Sequence, residues 1–268
     1  MASPHRFTQT SRPLVFAHRG GSALAPENTL AAFDHGLAIG ADGLELDVRC
    51  TRDGHVVVHH DAGLERTTNG VGAVAVCSLD DLARFDAGYR FCRQGDFPFR
   101  GRGFSVPLLS QVLARYPQAR IIVELKDGTE ALARATLEEV RKAGALDRVC
   151  FAGEDVRGLR VVRALEPGAA TSAARVEIRA ALCRAWVGRP VGRVFQALQV
   201  PEVAGPIRVV SPRFVRAVHR AGLVVQVWTV DRADDMRRLL RWGVDAIITD
   251  RPDVAVAVVR EWADGRSR

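Results

Sequence analysis

Histidines and carboxylates follow short apolar segments at four places in this chain. The segments occupy residues 15–21, 43–48, 56–61 and 121–126, and their ionisable side chains include His18, Arg19, Glu45, Asp47, His59, His60, Glu124 and Lys126. An apolar run of this length between polar residues is typical of a strand that is buried on both faces. Charges at the end of such a strand are costly unless a metal ion or a charged ligand compensates them. The pattern therefore indicates a functional site.

The second and third segments are predicted to pair as a β-hairpin. The connection around residues 51–54 is short. Because a parallel crossover needs about a dozen residues or more, the two strands can only be antiparallel. The dipeptide Asp53-Gly54 favours a two-residue type I′ turn.

This turn predicts which ionisable side chains share one face of the hairpin. It places Asp47 opposite His60, and strand alternation adds Glu45 to the same face. His59 is predicted to point to the other face. A slip of one residue would exchange the two histidines, so the assignment depends on the type of turn.

The elements that carry these residues predict a (β/α)8 barrel. From residue 107 onward, strand patterns alternate with helix patterns, which is typical of a parallel α/β fold. About eight such units, with one antiparallel hairpin partner, fit a barrel of ordinary length. The alternative is an open doubly wound sheet, which usually carries a glycine-rich phosphate loop where this chain has His18-Arg19-Gly20-Gly21. We expect one barrel domain over residues 14–262, with an insertion at about 62–107 and tails at 1–13 and 263–268.

Local patterns predict several individual elements of this barrel. Apolar residues at helical spacing indicate a helix over residues 30–39, which Asn28 or Thr29 would cap and Gly40 would end. A weak strand of small residues is expected at 169–173, and a later helix is expected to open at Asp231.

Composition excludes several classes of protein. The chain contains no linker, no apolar run approaching the roughly 18 residues that span a bilayer, and no apolar core of a secretion signal near its start. Its five cysteines are scattered and odd in number, which argues against a disulfide framework and a structural zinc site. We expect a cytoplasmic protein with reduced thiols and no stable membrane insertion.

The net charge of +7 and the pI near 9.8 raise the alternative of a nucleic-acid partner. The 38 basic residues are spread along the chain, only Lys126 and Lys142 are lysines, and aromatic stacking motifs are missing. A solvated basic surface that attracts an anionic substrate explains this charge better. We therefore predict a small-molecule partner and no nucleic acid.

Six motifs in register resemble the glycerophosphodiester phosphodiesterase family. They are His18-Arg19-Gly20-Gly21, Pro26-Glu27-Asn28-Thr29, Glu45-Leu46-Asp47, His60-Asp61, Glu124-Leu125-Lys126 and Val227-Trp228-Thr229-Val230. The likeness runs from Leu14 to Pro252 and includes the insertion. It implies a barrel fold, a divalent metal and hydrolysis of glycerophosphodiesters to an alcohol and glycerol 3-phosphate.

The resemblance also implies the roles of the central residues. Glu45, Asp47 and Glu124 would be the metal ligands, and three hard carboxylate oxygens suit Ca²⁺ or Mg²⁺. The alternative for Glu124 is an ordinary ion pair at the end of a strand. His18 and His60 would serve as general base and general acid, because imidazole titrates near neutral pH.

Four residues are predicted to contact the substrate. Arg19 would hold the non-bridging phosphate oxygens, and Lys126 would stabilise the charge of the transition state. The family implies that Gln199 and Trp228 contact the glycerol, although a tryptophan at a strand end is otherwise usually a core residue.

Two further residues, Glu27 and Asn28, are predicted to orient the side chains that meet the metal or the substrate. Simple helix capping explains Asn28 almost as well. The insertion follows His60, so we expect it to lie over the barrel mouth. Its aromatic residues would either line an apolar mouth or form a small core of their own; they are Phe85, Tyr89, Phe91, Phe97, Phe99 and Phe104.

Alternative functions stay open at this point. A lysophospholipase D-like enzyme would use the same chemistry on acylated substrates, and a catalytically silent barrel would only bind its ligand. The sequence also leaves open the alcohol group, the choice between Ca²⁺ and Mg²⁺, the oligomeric state, and direct attack by water against passage through a cyclic phosphate.

Overall fold

The computed structural model describes residues 5–266, and its strands follow the predicted alternation with helices. The strands are β1 (Leu14–His18), β2 (Gly43–Cys50), β3 (Val56–Val58), β4 (Arg120–Leu125), β5 (Val149–Ala152), β6 (Ala170–Thr171), β7 (Ala197–Pro201), β8 (Val203–Ala204), β9 (Ile207–Arg208), β10 (Val224–Trp228) and β11 (Ala246–Thr249).

Eight parallel strands form a nearly closed barrel. Their order around the sheet is β6, β5, β4, β2, β1, β11, β10 and β7, and β3 pairs antiparallel with β2. A parallel bridge between Ser172 and Ala197 joins the seam between β6 and β7. The N–H of Ala173 adds a hydrogen bond of 2.9 Å to the carbonyl of Ala197. The prediction of a barrel is confirmed, and the open-sheet alternative is wrong.

Helices surround this barrel. They are α1 (Leu30–Ile39), α2 (Leu79–Leu82), α3 (Leu109–Arg115), α4 (Glu130–Lys142), α5 (Val156–Leu165), α6 (Arg175–Trp186), α7 (Pro212–Arg220), α8 (Ala233–Trp242) and α9 (Pro252–Arg266), with 3-10 turns at Arg6–Thr8 and Val74–Val76. Among residues 5–266, no helix has the length and apolar character needed to cross a bilayer.

Helix α1 has the predicted boundaries. Its cap is Thr29, whose hydroxyl accepts the N–H of Ala32 at 3.2 Å, and Gly40 ends it in the left-handed region at φ +107°. The expected start of α8 at Asp231 is wrong, because that carboxylate accepts from Thr249 and from the N–H of Asp250 instead.

The strands of the structure differ from the predicted ones at two places. β6 contains only two residues of the expected 169–173 strand. The short β8–β9 hairpin was not predicted, since its two-residue strands are exposed and carry no alternating pattern.

Strand alternation divides the core into two layers. On β2, Leu44, Leu46 and Val48 point outward and pack beneath the helices. A second apolar cluster fills the barrel interior and consists of Phe7, Leu14, Phe16, Ile122, Cys150, Ala152, Ala170, Ala246 and Ile248. The ring centroid of Phe7 lies 5.7 Å from that of Phe16. The segment predicted as an amino-terminal tail therefore supplies a buried core residue, and the last helix runs past residue 262.

The register of the β2–β3 hairpin differs by one residue from the prediction. Val48 pairs with Val58, and the N–H of His59 donates to the carbonyl of Asp47 at 2.9 Å. The loop has three residues, and only Gly54 adopts a positive φ, at +86°. A type I′ turn needs a positive φ at both central residues, so the predicted turn is wrong. Because β3 ends at Val58, strand alternation no longer decides where the two histidines point.

The insertion packs on a small core that it shares with Val57 of β3. This core contains Val57, Leu64, Val74, Leu82, Ala87 and Val106. Phe99 contacts Phe91 and Phe104, with ring centroids 5.2 and 5.6 Å apart. Phe97 is 40% exposed, and the guanidinium of Arg100 lies 3.7 Å from its ring centroid. The aromatic residues of the insertion therefore pack mainly on one another and on arginine.

Candidate active site

Two glycines create the tight turn that follows β1 and displays His18. Gly20 and Gly21 have φ values of +88° and +97°. A Cβ atom on Gly20 would lie 2.7 Å from Ala32, and one on Gly21 would lie 2.9 Å from Pro252. Both positions therefore require glycine, and the turn brings the starts of α1 and α9 close to the end of β1.

Three carboxylates from β2 and β4 converge. Glu45 and Asp47 are separated by one residue on β2 and therefore share a face, and Glu124 of β4 is the register partner of Asp47. One oxygen from each of the three residues lies within 4.8 Å of the others. Glu45 and Asp47 are only 5% and 1% exposed. The structure thus brings together the three predicted metal ligands.

Burial and neighbouring charges shift the pKa values of these carboxylates. Burial and the charge of Asp47 raise the pKa of Glu45 to about 8. The same two causes raise the pKa of Glu124. Burial would also raise the pKa of Asp47, but the cations of Lys126 and Arg19 lower it. Burial and mutual repulsion therefore disfavour the ionised forms of Glu45 and Glu124.

The donor set fits a hard divalent cation. Oδ1 of Asp47 is buried and has no hydrogen-bond partner, although Nζ of Lys126 lies 3.3 Å away. Nζ of Lys126 also lies 3.0 Å from Oε1 of Glu124. This contact is the ion pair that the sequence analysis gave as the alternative role of Glu124. Three carboxylates without thiol or imidazole donors match the preference of Ca²⁺ and Mg²⁺ for oxygen.

Arg19 and Asn28 surround Asp47. The Nη1 group of Arg19 donates to Glu27 at 2.9 Å, its Nε lies 3.3 Å from Oδ2 of Asp47, and its main-chain N–H donates to Glu45 at 3.1 Å. The amide of Asn28 donates to Oδ2 of Asp47 at 2.8 Å. Arg19 and Asn28 both adopt positive φ values, of 50° and 58°. Asn28 therefore orients a carboxylate and does not cap α1.

His18 contacts carboxylates through both ring nitrogens. Its Nε2 lies 3.7 Å from Glu45, and its Nδ1 lies 2.6 Å from Asp250. Burial would lower the pKa of His18, but Glu45 and Asp250 raise it to about 9. Sequence reasoning missed Asp250, although this residue directly follows the last barrel strand, β11.

His60 faces the carboxylates, whereas His59 is bonded elsewhere. Burial lowers the pKa of His60, while the nearby charge of Asp47 and a 2.5 Å hydrogen bond with Asp61 oppose that shift. The Nε2 atom of the buried His59 lies 3.0 Å from the carbonyl of Gly63. The side chain of His60 thus lies near Asp47, as predicted. The hairpin register from which this was predicted is nevertheless wrong.

The two predicted glycerol contacts, Gln199 and Trp228, are not hydrogen-bonded to this network in the described residues. Gln199 is buried, and its amide donates to Gln226 at 2.8 Å. Trp228 ends β10 and is 38% exposed. Among residues 5–266, no hydrogen bond or ion pair joins either side chain to the carboxylates or to the two histidines. The sequence analysis did not predict Gln226 as a partner of Gln199. The only sequence signal for it is the alternation of β10, which points Gln226 into the barrel.

Comparisons with known proteins agree with this geometry. The model of the glycerophosphoryl diester phosphodiesterase family matches residues 18–254. A glycerophosphodiester phosphodiesterase of Caldanaerobacter subterraneus subsp. tengcongensis is 32% identical over 257 residues, which cover 93% of this chain and 99% of the relative.

Solved structures show the same fold. The crystal structure of an Agrobacterium tumefaciens glycerophosphodiester phosphodiesterase has a TM-score of 0.74 at 29% identity, covering 91% of this chain and 99% of its own. An Oleispira antarctica phosphodiesterase, solved in complex with the product sn-glycerol-3-phosphate, has a TM-score of 0.75 at 24% identity, covering 93% and 97%. The chain thus belongs to the glycerophosphoryl diester phosphodiesterase family and is a phosphodiesterase.

Proposed function

We propose that this enzyme hydrolyses glycerophosphodiesters to an alcohol and glycerol 3-phosphate and requires a divalent metal, Ca²⁺ or Mg²⁺. The observation that carries the proposal is the convergence of Glu45, Asp47 and Glu124 between two histidines that are each bonded to an aspartate. The product bound to the Oleispira antarctica relative supports the same class of substrate.

The three carboxylates would hold the metal. When bound, the ion supplies positive charge that polarises the phosphate oxygens. The raised pKa values of Glu45 and Glu124 support this assignment, because a bound cation would offset the cost of ionising them. Oδ1 of Asp47 supports it as well, since this buried atom has no hydrogen-bond partner.

Two cationic side chains would bind the phosphodiester. Arg19 uses Nη1 for Glu27, which leaves Nη2 for a non-bridging phosphate oxygen. Lys126 lies beside Asp47 and Glu124, where its ammonium group adds charge to the phosphate site. Together they stabilise the extra negative charge of the pentacoordinate transition state. We further propose Gln199 and Trp228 as contacts of the glycerol.

His18 and His60 would move the two protons of the reaction. One proton leaves the attacking oxygen, which belongs either to water or to the adjacent glycerol hydroxyl, and one proton is delivered to the leaving alkoxide. Asp250 and Asp61 bond the Nδ1 atoms and so direct each Nε2 toward the reacting group. The ring of His59 is bonded to Gly63, so we assign it no proton transfer.

A substrate panel tests this function. Purified enzyme with Ca²⁺ or Mg²⁺ is given glycerophosphocholine, lysophosphatidylcholine and bis(p-nitrophenyl) phosphate, and the released choline, glycerol 3-phosphate and p-nitrophenol are measured. We expect the highest kcat/KM with glycerophosphocholine. Faster choline release from the lysolipid would favour the lysophospholipase D alternative, and no turnover of any substrate would favour the silent barrel.

We also propose a cytoplasmic location and no nucleic-acid partner. The cysteines at positions 50, 77, 92, 150 and 183 are all unpaired, which supports a reducing compartment. Retention of the protein by random DNA at physiological salt would contradict the proposal that it has no nucleic-acid partner.

A further inference from the structure

Arg66 joins two carboxylates that hold different parts of the active site. Its Nη1 and Nη2 groups donate to the two oxygens of Glu27 at 2.6 and 2.8 Å. Its Nε group donates to Oδ2 of Asp61. One planar guanidinium thus forms a bidentate pair with the first carboxylate and a separate hydrogen bond with the second.

Each of these carboxylates has a second partner in the site. Oε1 of Glu27 also accepts Nη1 of Arg19 at 2.9 Å, and Oδ1 of Asp61 bonds Nδ1 of His60 at 2.5 Å. The connected path therefore runs from Arg19 through Glu27, Arg66 and Asp61 to His60. The two ends of the path are the phosphate-binding cation and one of the proton-transfer groups.

The two carboxylates of this path, Glu27 and Asp61, are kept ionised by the cations around them. Burial would raise the pKa of Glu27, but Arg66 and Arg19 lower it below its ordinary value. Burial would likewise raise the pKa of Asp61, but Arg66 and His60 lower it. Both groups therefore stay ionised and keep accepting hydrogen bonds. Without Arg66, each carboxylate would keep only its hydrogen bond to Arg19 or to His60 and would be held less firmly.

The insertion presents Arg66 to the site. Leu64 is fully buried in the core of the insertion, and its N–H donates to the carbonyl of Gly72 at 3.0 Å. The N–H of Thr68 donates to the carbonyl of Leu64 at 3.0 Å. These bonds close a turn around Arg66, whose side chain remains 47% exposed. The fold of the insertion thus places the main chain of Arg66 where its side chain reaches Glu27 and Asp61.

We propose that Arg66 is a positioning residue that sets the geometry of Arg19 and His60 together, through Glu27 and Asp61. The inference rests on the proposed phosphodiesterase mechanism for its kinetic effect, and on the contacts alone for its structural effect. A misplacement of about 1 Å in a reacting group can cost about 10²-fold in rate. The insertion then contributes to catalysis through one side chain.

The kinetic test compares Arg66→Ala, Arg66→Lys and Arg102→Ala. Arg102 belongs to the same insertion, is exposed, and has no ion pair among residues 5–266, so its variant is the matched control. With glycerophosphocholine we expect Arg66→Ala to lose about 10²-fold in kcat, Arg66→Lys to lose less, and the control to match wild type. Millimolar methylguanidinium should restore part of the Arg66→Ala loss. A loss below about twofold in folded Arg66→Ala would overturn the proposal.

A change of background tests whether Arg66 acts through the two carboxylates. In a Glu27→Ala/Asp61→Ala protein, both acceptors of Arg66 are missing and the path is already broken, so adding Arg66→Ala should lower kcat by less than about threefold. A further loss of about 10²-fold in that background would contradict the proposal, because the arginine would then act by another route.

A spectroscopic test does not depend on turnover. Histidine labelled with ¹⁵N reports the ring nitrogens of His60, whose signals are assigned with His60→Ala. We expect these signals to shift in Arg66→Ala, to move back with methylguanidinium, and to stay unchanged in Arg102→Ala. Unchanged His60 signals in Arg66→Ala would overturn the positioning role even if the enzyme proved inactive on every glycerophosphodiester. Inactive wild-type enzyme with shifted signals would reject only the proposed function.

Discussion

Replacing Glu45 by Gln should stabilise the metal-free protein and destabilise the metal-loaded one. The glutamine retains a carbonyl oxygen that can accept the N–H of Arg19, as Glu45 does at 3.1 Å. At pH 7 the neutral amide replaces a carboxyl group that takes up a proton on folding, because the folded pKa of Glu45 is about 8. Without a metal this change removes the cost of that proton uptake, whereas with a metal it deletes a proposed ligand.

The size of the effect follows from the pKa of Glu45. Folding raises that pKa from its ordinary value of 4.5 to about 8. The stability associated with the protonated group is complete below pH 4.5 and is lost as the pH rises through 8. At pH 7 the loss spans about 2.5 pH units, or about 3 kcal/mol. For a chain of this size, that corresponds to a change in Tm of about 6–12 °C.

Urea unfolding at pH 7 measures this difference, once in EDTA and once in millimolar CaCl₂ or MgCl₂. In EDTA we expect the free energy of unfolding of Glu45→Gln to exceed that of wild type by up to about 3 kcal/mol. The wild type should gain stability from the metal, and the variant should gain much less. Glu130→Gln on α4 is the control, because Glu130 is exposed and pairs only at the surface with Arg134. Equal destabilisation of Glu45→Gln in both buffers would refute the reasoning.

Three further predictions concern proton transfer, packing and pH. His18→Ala and His60→Ala should each lower kcat by about 10²-fold with the fold intact by circular dichroism; a smaller loss than about fivefold would contradict their roles. Phe7→Ala should cost about 3–5 kcal/mol in urea unfolding without changing kcat, because Phe7 lies in the barrel interior beneath the site. Asp245 raises the pKa of His219 above 6.5, so this pair should contribute about 0.5 kcal/mol below pH 6.5 that disappears as the pH rises through the raised pKa. His219→Gln should abolish that part of the pH dependence of unfolding.

Patterns of local origin were predicted accurately from the sequence. The boundaries of α1 follow from Thr29, Gly40 and apolar spacing between them, and the structure shows both caps. The closeness of Glu45 and Asp47 follows from strand alternation, and the parallel pairing of β2 with β4 brings in Glu124. Such features need only a few neighbouring residues and the direction of the strands.

Features that depend on distant contacts were not predicted. The hairpin turn was assigned from Asp53-Gly54 alone, but the main-chain bond from Thr51 to His55 closes a three-residue loop. Asp250 lies 232 residues from His18 in the sequence, so only closure of the barrel brings the two side chains together. Phe7 precedes the first strand and shows no periodic pattern, because its burial depends on the shape of the barrel interior.

The most direct test of the central claim is turnover of glycerophosphocholine before and after removal of metal. Activity should disappear in EDTA and return on addition of Ca²⁺ or Mg²⁺, with choline and glycerol 3-phosphate released in equal amounts. Glu124→Gln should show a weakened response to the added ion, because this variant loses one of the three carboxylates of the cluster. Undiminished release of glycerol 3-phosphate after exhaustive chelation would contradict the proposed mechanism.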